Sequence, residues 1–346
     1  MIDLRSDTLT KPTAEMRKKM YDAEVGDAGR EDSRGRGEDP TLNRLEDIAA
    51  QLMGKEAAMF IPSGTMANLI ALMTFCSAGQ HVGVEKNLHV YRNEKAAFMD
   101  RPGGLIPEFF ETDSQSIPIL NSVKALLEER RINLLCLENT HNFAGGTCLS
   151  KEQMQSICSI AKENGVPVHL DGARINNASI YLNTPVEELV ATVDTVMFCL
   201  SKGLGAPVGS ILCGSHDFIV EARKTRRLIG GTMRQAGVLA AAGIVAIQKE
   251  RDRLTEDHEN ARLLAERIEH NDKIRLDIET VQTNIVKVDV SPCGYDAKTF
   301  QQGLESRGLK VNVLSEKFIR MVTRREIERE DVVEASNILN EYCESL

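Results

Sequence analysis

DTVMFCLSKGLGAPVGSIL, residues 194–212, decides the fold. A continuously apolar run, VMFCL, ends abruptly at Ser201 and Lys202 and passes into a turn carrying Gly203, Gly205 and Pro207. A second apolar run, GSILCG, follows. Apolarity without alternation in so short a run is the pattern of a strand buried on both faces. Working outward, AAMFI (57–61), HVGVE (81–85), LLCLE (134–138) and VPVHL (166–170) have the same character, with longer helical patterns between them. This βα alternation predicts a mostly parallel central sheet covered by helices on both faces, an α/β class. From about Thr232 a long helical pattern is expected to lead out of this unit. Beyond it RLDIE, NIVKVDV, LKVNV and FIRMVT read as strands and DAKTFQQGLESRG and EDVVEASNILNEYCES as helices, a smaller C-terminal α+β domain. The expected division is an irregular N-terminal arm and loop over 1–45, a large α/β domain over 46–245 and the small domain over 246–346.

Composition narrows the function classes. The chain has 346 residues, 42% apolar and 27% charged, the balance of a globular protein. A net charge of −9 argues against nucleic acid or an anionic membrane as partner. VLAAAGIVAI (238–247), the longest strongly apolar stretch, is about half the length that spans a bilayer. Eight cysteines show no CxxC and no zinc-ligand spacing. They read as buried free thiols, which with the N-terminal MIDLRSDT predicts a cytoplasmic protein. No ligand cluster identifies a metal site, and neither a P-loop nor a GxGxxG turn is present.

Three features carry chemistry. In FIPSGTMANL (60–69), Ser63, Gly64 and Thr65 stand between a strand and a helix, where free backbone N–H groups and hydroxyls can hold a phosphate. A capped helix start would look the same. In VPVHLDGAR (166–174), Asp171 stands at a strand's C-terminal end, where sites open in α/β sheets, with Arg174 three residues on. A buried Asp–Arg pair is the ordinary alternative. Lys202, at the end of an apolar strand, is placed to form a Schiff base with a carbonyl compound, although a lysine in a loop is common.

The order of these features, with RSDT (5–8), GEDPTLNRLE (37–46), His89 followed by Glu94, LENTHN (137–142), CLSKGLGAPVGS (199–210), GGTMRQAG (230–237) and IRMVT (319–323), resembles the threonine aldolase family almost end to end. The resemblance implies fold type I of the pyridoxal 5'-phosphate (PLP) enzymes, the aspartate aminotransferase-like fold. The reaction it implies is Cα–Cβ cleavage of a β-hydroxy-α-amino acid to glycine and an aldehyde. It also implies a Schiff base on Lys202, a ring-nitrogen partner in Asp171, phosphate on Ser63, Gly64 and Thr65, and His89 stacked on the ring. His141 would stand near the substrate hydroxyl with Glu138 orienting it, and either His89 or His141 could be the base there. Ser6, Arg174 and Arg320 would grip the substrate carboxylate, converging only in the folded oligomer. Arg234 would reach the cofactor phosphate of a neighbouring subunit in a homodimer or homotetramer.

Two departures stand out. GREDSRGRG is longer than the usual segment before GEDPT and puts Arg36 where the family has Tyr, and Arg324 stands where it has His. Added positive charge near the site would suit an acidic substituent, as in a 3-hydroxyaspartate-type substrate. β-Elimination on the same scaffold is the other reading.

Overall fold

Successive residues of the central strands point to opposite faces of one sheet, and both faces are apolar. The computed structural model describes residues 1–346 apart from Glu31, Ser33, Arg34 and Arg130. In chain order the strands are β1 Ile2–Asp3, β2 Ala57–Ile61, β3 His81–Val84, β4 Ile106–Phe109, β5 Ile132–Glu138, β6 Val168–Asp171, β7 Thr195–Cys199, β8 Ser210–Gly214, β9 Ile285–Asp289, β10 Leu309–Lys310, β11 Asn312–Val313 and β12 Phe318–Val322. The helices are α1 Ala14–Tyr21, α2 Pro40–Leu52, α3 Gly64–Phe75, α4 Leu120–Glu129, α5 Lys151–Glu163, α6 Ile175–Tyr181, α7 Val186–Leu189, α8 His216–Leu228, α9 Gly237–Lys249, α10 Leu254–Ile268, α11 Ala297–Ser306 and α12 Arg329–Glu344.

The large sheet runs β2-β8-β7-β6-β5-β3-β4. β7, β6, β5, β3 and β4 pair in parallel, while β8 is antiparallel to both β2 and β7. Every strand of this sheet but β8 therefore ends at the same edge. On β7, Val196 and Phe198 join Phe60, Leu135 and Ile211 in one core under α2, α5 and α9, while Met197 and Cys199 join Met59, Ile61 and Leu212 in another under α3 and α8. Period-two alternation thus feeds two cores, which is why these strands read as continuously apolar.

A second body of structure packs α10, α11 and α12 on the antiparallel sheet β11-β12-β9. Ile2 and Leu4 belong to its core. The first 45 residues are thus more ordered than an irregular arm: β1 pairs in parallel with β10, the Leu4 carbonyl accepts from Val322 N–H at 2.8 Å, and α1 lies against α9. A two-residue strand is too short to show alternation, and α1, with Met16 as its one buried residue, shows no apolar stripe. Of GREDSRGRG, residues 31, 33 and 34 lie outside the described residues.

Other differences are local. The helix expected from Thr232 begins at Gly237 and breaks after Lys249 before resuming at Leu254. RLDIE contributes a single bridge, Arg275 to Asp289, followed by a short 3-10 turn at Ile278–Thr280. β4, an edge strand containing Pro107, escaped notice because an edge strand is not buried on both faces. The proposed division keeps a large unit over about 46–245 and a small one over 246–346, with Ile2 and Leu4 added to the latter's core.

Leu4→Ala removes a fully buried side chain at the join between the N-terminal strand and this second core. It is expected to destabilise by about 2–5 kcal/mol, read as a lower urea midpoint at unchanged slope. An unchanged midpoint would show that residues 2–4 dock without contributing.

Candidate active site

The ends of adjacent strands set the site. Glu138, the last residue of β5, is paired with Asp171, the last of β6, and Asp171 with Met197 of β7, five residues before Lys202. Neighbouring strands lie about 4.8 Å apart, so one edge collects side chains that are far apart in sequence. His89 follows β3, and Ser63 follows β2, whose end lies beside the start of β8.

Asp171 is buried. Its carboxylate accepts from Asn68 Nδ2 at 2.8 Å and from Ala173 N–H at 3.1 Å. Asn68 also donates to Glu94 at 3.1 Å, and its own oxygen faces His169 Nε2 at 3.1 Å. The other nitrogen of His169 is 2.9 Å from Thr195 Oγ1. An acceptor at Nε2 and a hydroxyl at Nδ1 suit one neutral tautomer, in which Nε2–H donates. Burial holds His169 neutral, pushing its pKa down to about 4.

His89 Nδ1 lies 3.0 Å from Glu94, and the His89 backbone N–H donates to Glu138 at 2.6 Å. Its Nε2 has no hydrogen-bond partner among the described residues. Burial lowers the proton affinity of this ring, but the Glu94 hydrogen bond and the charges of Asp171 and Glu138 outweigh it and raise the pKa. Ligand atoms of His89, Glu94 and Asp171 lie within 4.8 Å of one another, a grouping invisible in their spacing.

His141 is differently placed. Ala144 N–H donates to its Nδ1 at 3.2 Å and its Nε2 faces Glu85 at 3.3 Å, so both nitrogens are engaged. Its partner is thus Glu85, not Glu138 as expected. Glu138 instead receives the backbone N–H groups of His89 and Asn142, and burial raises its pKa.

Arg174 and Arg320 meet across Asn142 Oδ1, at 3.3 and 2.7 Å. Arg174 is a buried ion pair with Asp7, its Nε and Nη2 donating at 2.6 and 2.7 Å. Asp7 is held well below the usual carboxylate range because Arg174 outweighs the effect of burial. Arg320 has no ion pair among the described residues, and its buried Nε has no partner. Burial and then the Arg174 charge push its pKa down to about 10. Ser6 adjoins Asp7 and caps the short turn at Asp7–Leu9. These groups converge within one chain, where sequence reading had expected an oligomer to be needed.

Three expected residues are not brought into this grouping. Arg234 is exposed and faces Asp27 at 3.2 Å. Arg36 is bound to Asp47 at 2.9 and 3.1 Å. Arg324 is turned toward Glu326 and the Asp3 carbonyl. The charges of Arg36 and Arg324 are satisfied elsewhere, so neither supports an acidic substituent.

The residues fit pyridoxal phosphate. Ser63 caps α3 through Met66 N–H, and the preceding N–H groups of Gly64 and Thr65 have no acceptor inside the helix. Gly64 is pressed against β7: a Cβ there would lie 3.0 Å from Cys199 Sγ and Met197 Cε. Near this turn, where a Cβ on Gly231 would meet Met66, Thr232 Oγ1 is buried without a partner among the described residues. The Lys202 amine has no hydrogen bond or ion pair among the described residues, although its charge is felt at Asp7. Asn68, His169, Asp7, Glu85 and Asn142 were not singled out from sequence, although Asp7 and Asn142 adjoin two residues that were, Ser6 and His141.

The chain matches the beta-eliminating lyase family over residues 3–291. It is 41% identical to low-specificity L-threonine aldolase 1 of Arabidopsis thaliana over 96% of this chain and 93% of that one. With the low specificity L-threonine aldolase of Escherichia coli strain K12 it shares 37% identity, covering 97% of each. Among solved structures it resembles a Leishmania major threonine aldolase with a TM-score of 0.80 at 17% identity, covering 99% of this chain and 100% of that one. It also resembles a serine palmitoyltransferase of Sphingomonas wittichii, with a TM-score of 0.79 at 19% identity, covering 99% and 87%. At these identities the structural likeness shows the fold.

His169 gives the site a pH signature. Its folded pKa of about 4 lies below the ordinary 6.5, so between those values the unfolded chain holds a proton that the folded chain refuses. Stability present above pH 6.5 is therefore lost as pH falls toward 4, on the order of 2 kcal/mol from this group by pH 5. His169→Gln should flatten that dependence in urea titrations at pH 7 and pH 5. An unaltered slope would mean that His169 is not the neutral link to Asn68.

Proposed function

We propose that this chain, which belongs to the beta-eliminating lyase family and within it to the threonine aldolases, cleaves the Cα–Cβ bond of L-threonine and L-allo-threonine type substrates. Glycine and an aldehyde are the products, and pyridoxal 5'-phosphate is the cofactor, on fold type I. What supports the residue assignments is that β6 ends in the buried carboxylate of Asp171, that β7 beside it runs on to Lys202, whose amine has no partner among the described residues, and that Arg320, without an ion pair among them, meets Arg174 across Asn142. β-Elimination is not favoured, since the named relatives are aldolases.

Bound here, the cofactor supplies an aldehyde for amines and a protonated ring that accepts the electron pair left at Cα. Lys202 is the amine that holds it between turnovers. Asp171, kept in register by Asn68, would be the carboxylate that favours a protonated ring nitrogen. Gly64, Thr65 and Ser63 would hold the phosphate, with Thr232 as a further donor. Arg320 takes the substrate carboxylate, for which its unpaired guanidinium is suited, while Arg174 is held beside it by Asp7. That grip would fix the orientation of the substrate and so which Cα bond is cleaved.

The proton of the substrate hydroxyl goes to His89. Its Nε2 is unengaged, whereas both nitrogens of His141 are committed. His141 is then a positioning residue, tied through Glu85 to the wall beside the β-substituent. A homodimer or homotetramer is part of this reading, supported by exposed Tyr21 and Val238 on the packed helices α1 and α9. A cytoplasmic location is supported by eight free cysteines, all but Cys293 buried. No described helix is long and apolar enough to cross a membrane.

Borohydride reduction of the holoenzyme should place the label on Lys202, and Lys202→Ala should abolish glycine release from allo-threonine. A label elsewhere would overturn the assignment. His89→Asn is expected to lower kcat/KM by about 10²- to 10⁴-fold. The base must be unprotonated and its pKa is raised, so activity should fall as pH drops through a value above 6.5. Glu94→Gln should move that limb to lower pH. An acid limb that ignores Glu94 would remove His89 from the role.

A further inference from the structure

Beside His141 lies a cavity of about 230 Å³ lined by Asn87, Arg92, Phe143, Lys287, Phe318 and neighbouring serines and Leu314. Its two cations have no ion pair among the described residues. The Arg92 guanidinium lies 4.2 Å from the Phe143 ring centroid, and the Lys287 ammonium 4.5 Å from that of Phe318. Asp289, the acid nearest in sequence, is committed to Ser291, whose N–H and hydroxyl both donate to it. Two half-buried cations held side by side on aromatic faces, facing open space and without an ion pair among the described residues, Asp289 acting on Lys287 through space alone, are an arrangement that an anion would stabilise.

The cavity is joined to the site. Arg92 donates to Asn87 Oδ1 at 2.7 Å, Asn87 donates to Glu85 at 2.9 Å, and Glu85 faces His141. Phe143 is two residues from His141, and the charge of Lys287 reaches the His141 ring. Asn87 stands between the cations and Glu85, keeping that carboxylate from satisfying Arg92. The cations also disfavour each other: burial and then Arg92 lower the pKa of Lys287.

We propose that this cavity is a subsite for an anionic oxygen group, carboxylate or phosphate ester, at the far end of the substrate's β-substituent, so that the chain takes anionic β-hydroxy-α-amino acids alongside threonine-type ones. The inference rests on the aldolase reading and differs from the expectation attached to Arg36 and Arg324, which point elsewhere.

The test is steady-state glycine release by the holoenzyme from allo-threonine, from an analogue ending in a carboxylate and from one ending in a phosphate ester. Each is run with wild type, Arg92→Leu and Lys287→Met. Loss of a charge-assisted contact should raise KM for the anionic substrates roughly ten- to hundredfold in either variant, and Lys287→Met, which lies outside the hydrogen-bond chain to His141, should leave allo-threonine within about twofold. The arm showing the larger loss identifies carboxylate or phosphate. Equal changes on neutral and anionic substrates would overturn the subsite. Calorimetric titration of the holoenzyme with inorganic phosphate gives a readout free of turnover: binding lost in the double variant supports the subsite, and binding absent or unchanged overturns it. Failure to cleave allo-threonine, with phosphate binding lost in the double variant, would sink the aldolase reading while leaving the anion site standing.

Discussion

The carboxylate of Asp7 ties the site together. It is fully buried, takes both arms of the Arg174 fork from the end of β6, and accepts from Asn284 at 3.2 Å on the small unit's side. Its position follows from β1, which adds residues 2–4 to the small unit's core just before the chain turns into the site. An ion pair so buried contributes little net stability over an apolar replacement, but losing one partner strands the other charge at a cost of about 3–5 kcal/mol. Its value here is geometric. With Arg174 satisfied by Asp7, Arg320 is the cation left without a carboxylate, and Asn142 Oδ1 holds the two guanidinium groups side by side.

Two chains of hydrogen bonds run back from this edge. Thr195, His169, Asn68 and Asp171 form one, and it works because burial keeps His169 neutral with a bare Nδ1 and a donating Nε2. Protonation would put a donor toward a hydroxyl that can turn, but would also place a charge beside the apolar core. The other chain, Arg92, Asn87, Glu85 and His141, spends both nitrogens of a histidine on structure. His89, with one nitrogen on Glu94 and one free, is the ring left able to accept a proton. The division of labour between the two histidines follows from their partners rather than from their burial alone.

Much of the architecture was legible in the sequence because strands buried on both faces leave an unmistakable mark. AAMFI, LLCL and VMFC are apolar at every step since successive side chains enter cores on opposite faces of the sheet. Ser63, Asp171 and Lys202 each follow or end such a run, and in a parallel sheet the strand ends share an edge. The N-terminal strand and β4 left no such mark, one being two residues long and the other lying at the sheet's margin.

What the sequence by itself determined is therefore which residues reach the edge: local apolarity sets the strands, and connectivity sets where they stop. Only the tertiary structure decided what each of them touches there. Lys202, a lysine in a glycine-rich turn, lies in folding near enough to Asp7 for its charge to be felt, while its own amine has no hydrogen bond or ion pair among the described residues. Arg36 and Arg324, equally basic in sequence, found Asp47 and Glu326 instead, while Arg92 and Lys287 line a cavity without an ion pair among the described residues. Pairing of charges is a through-space competition among groups up to hundreds of residues apart, and no local pattern records its outcome.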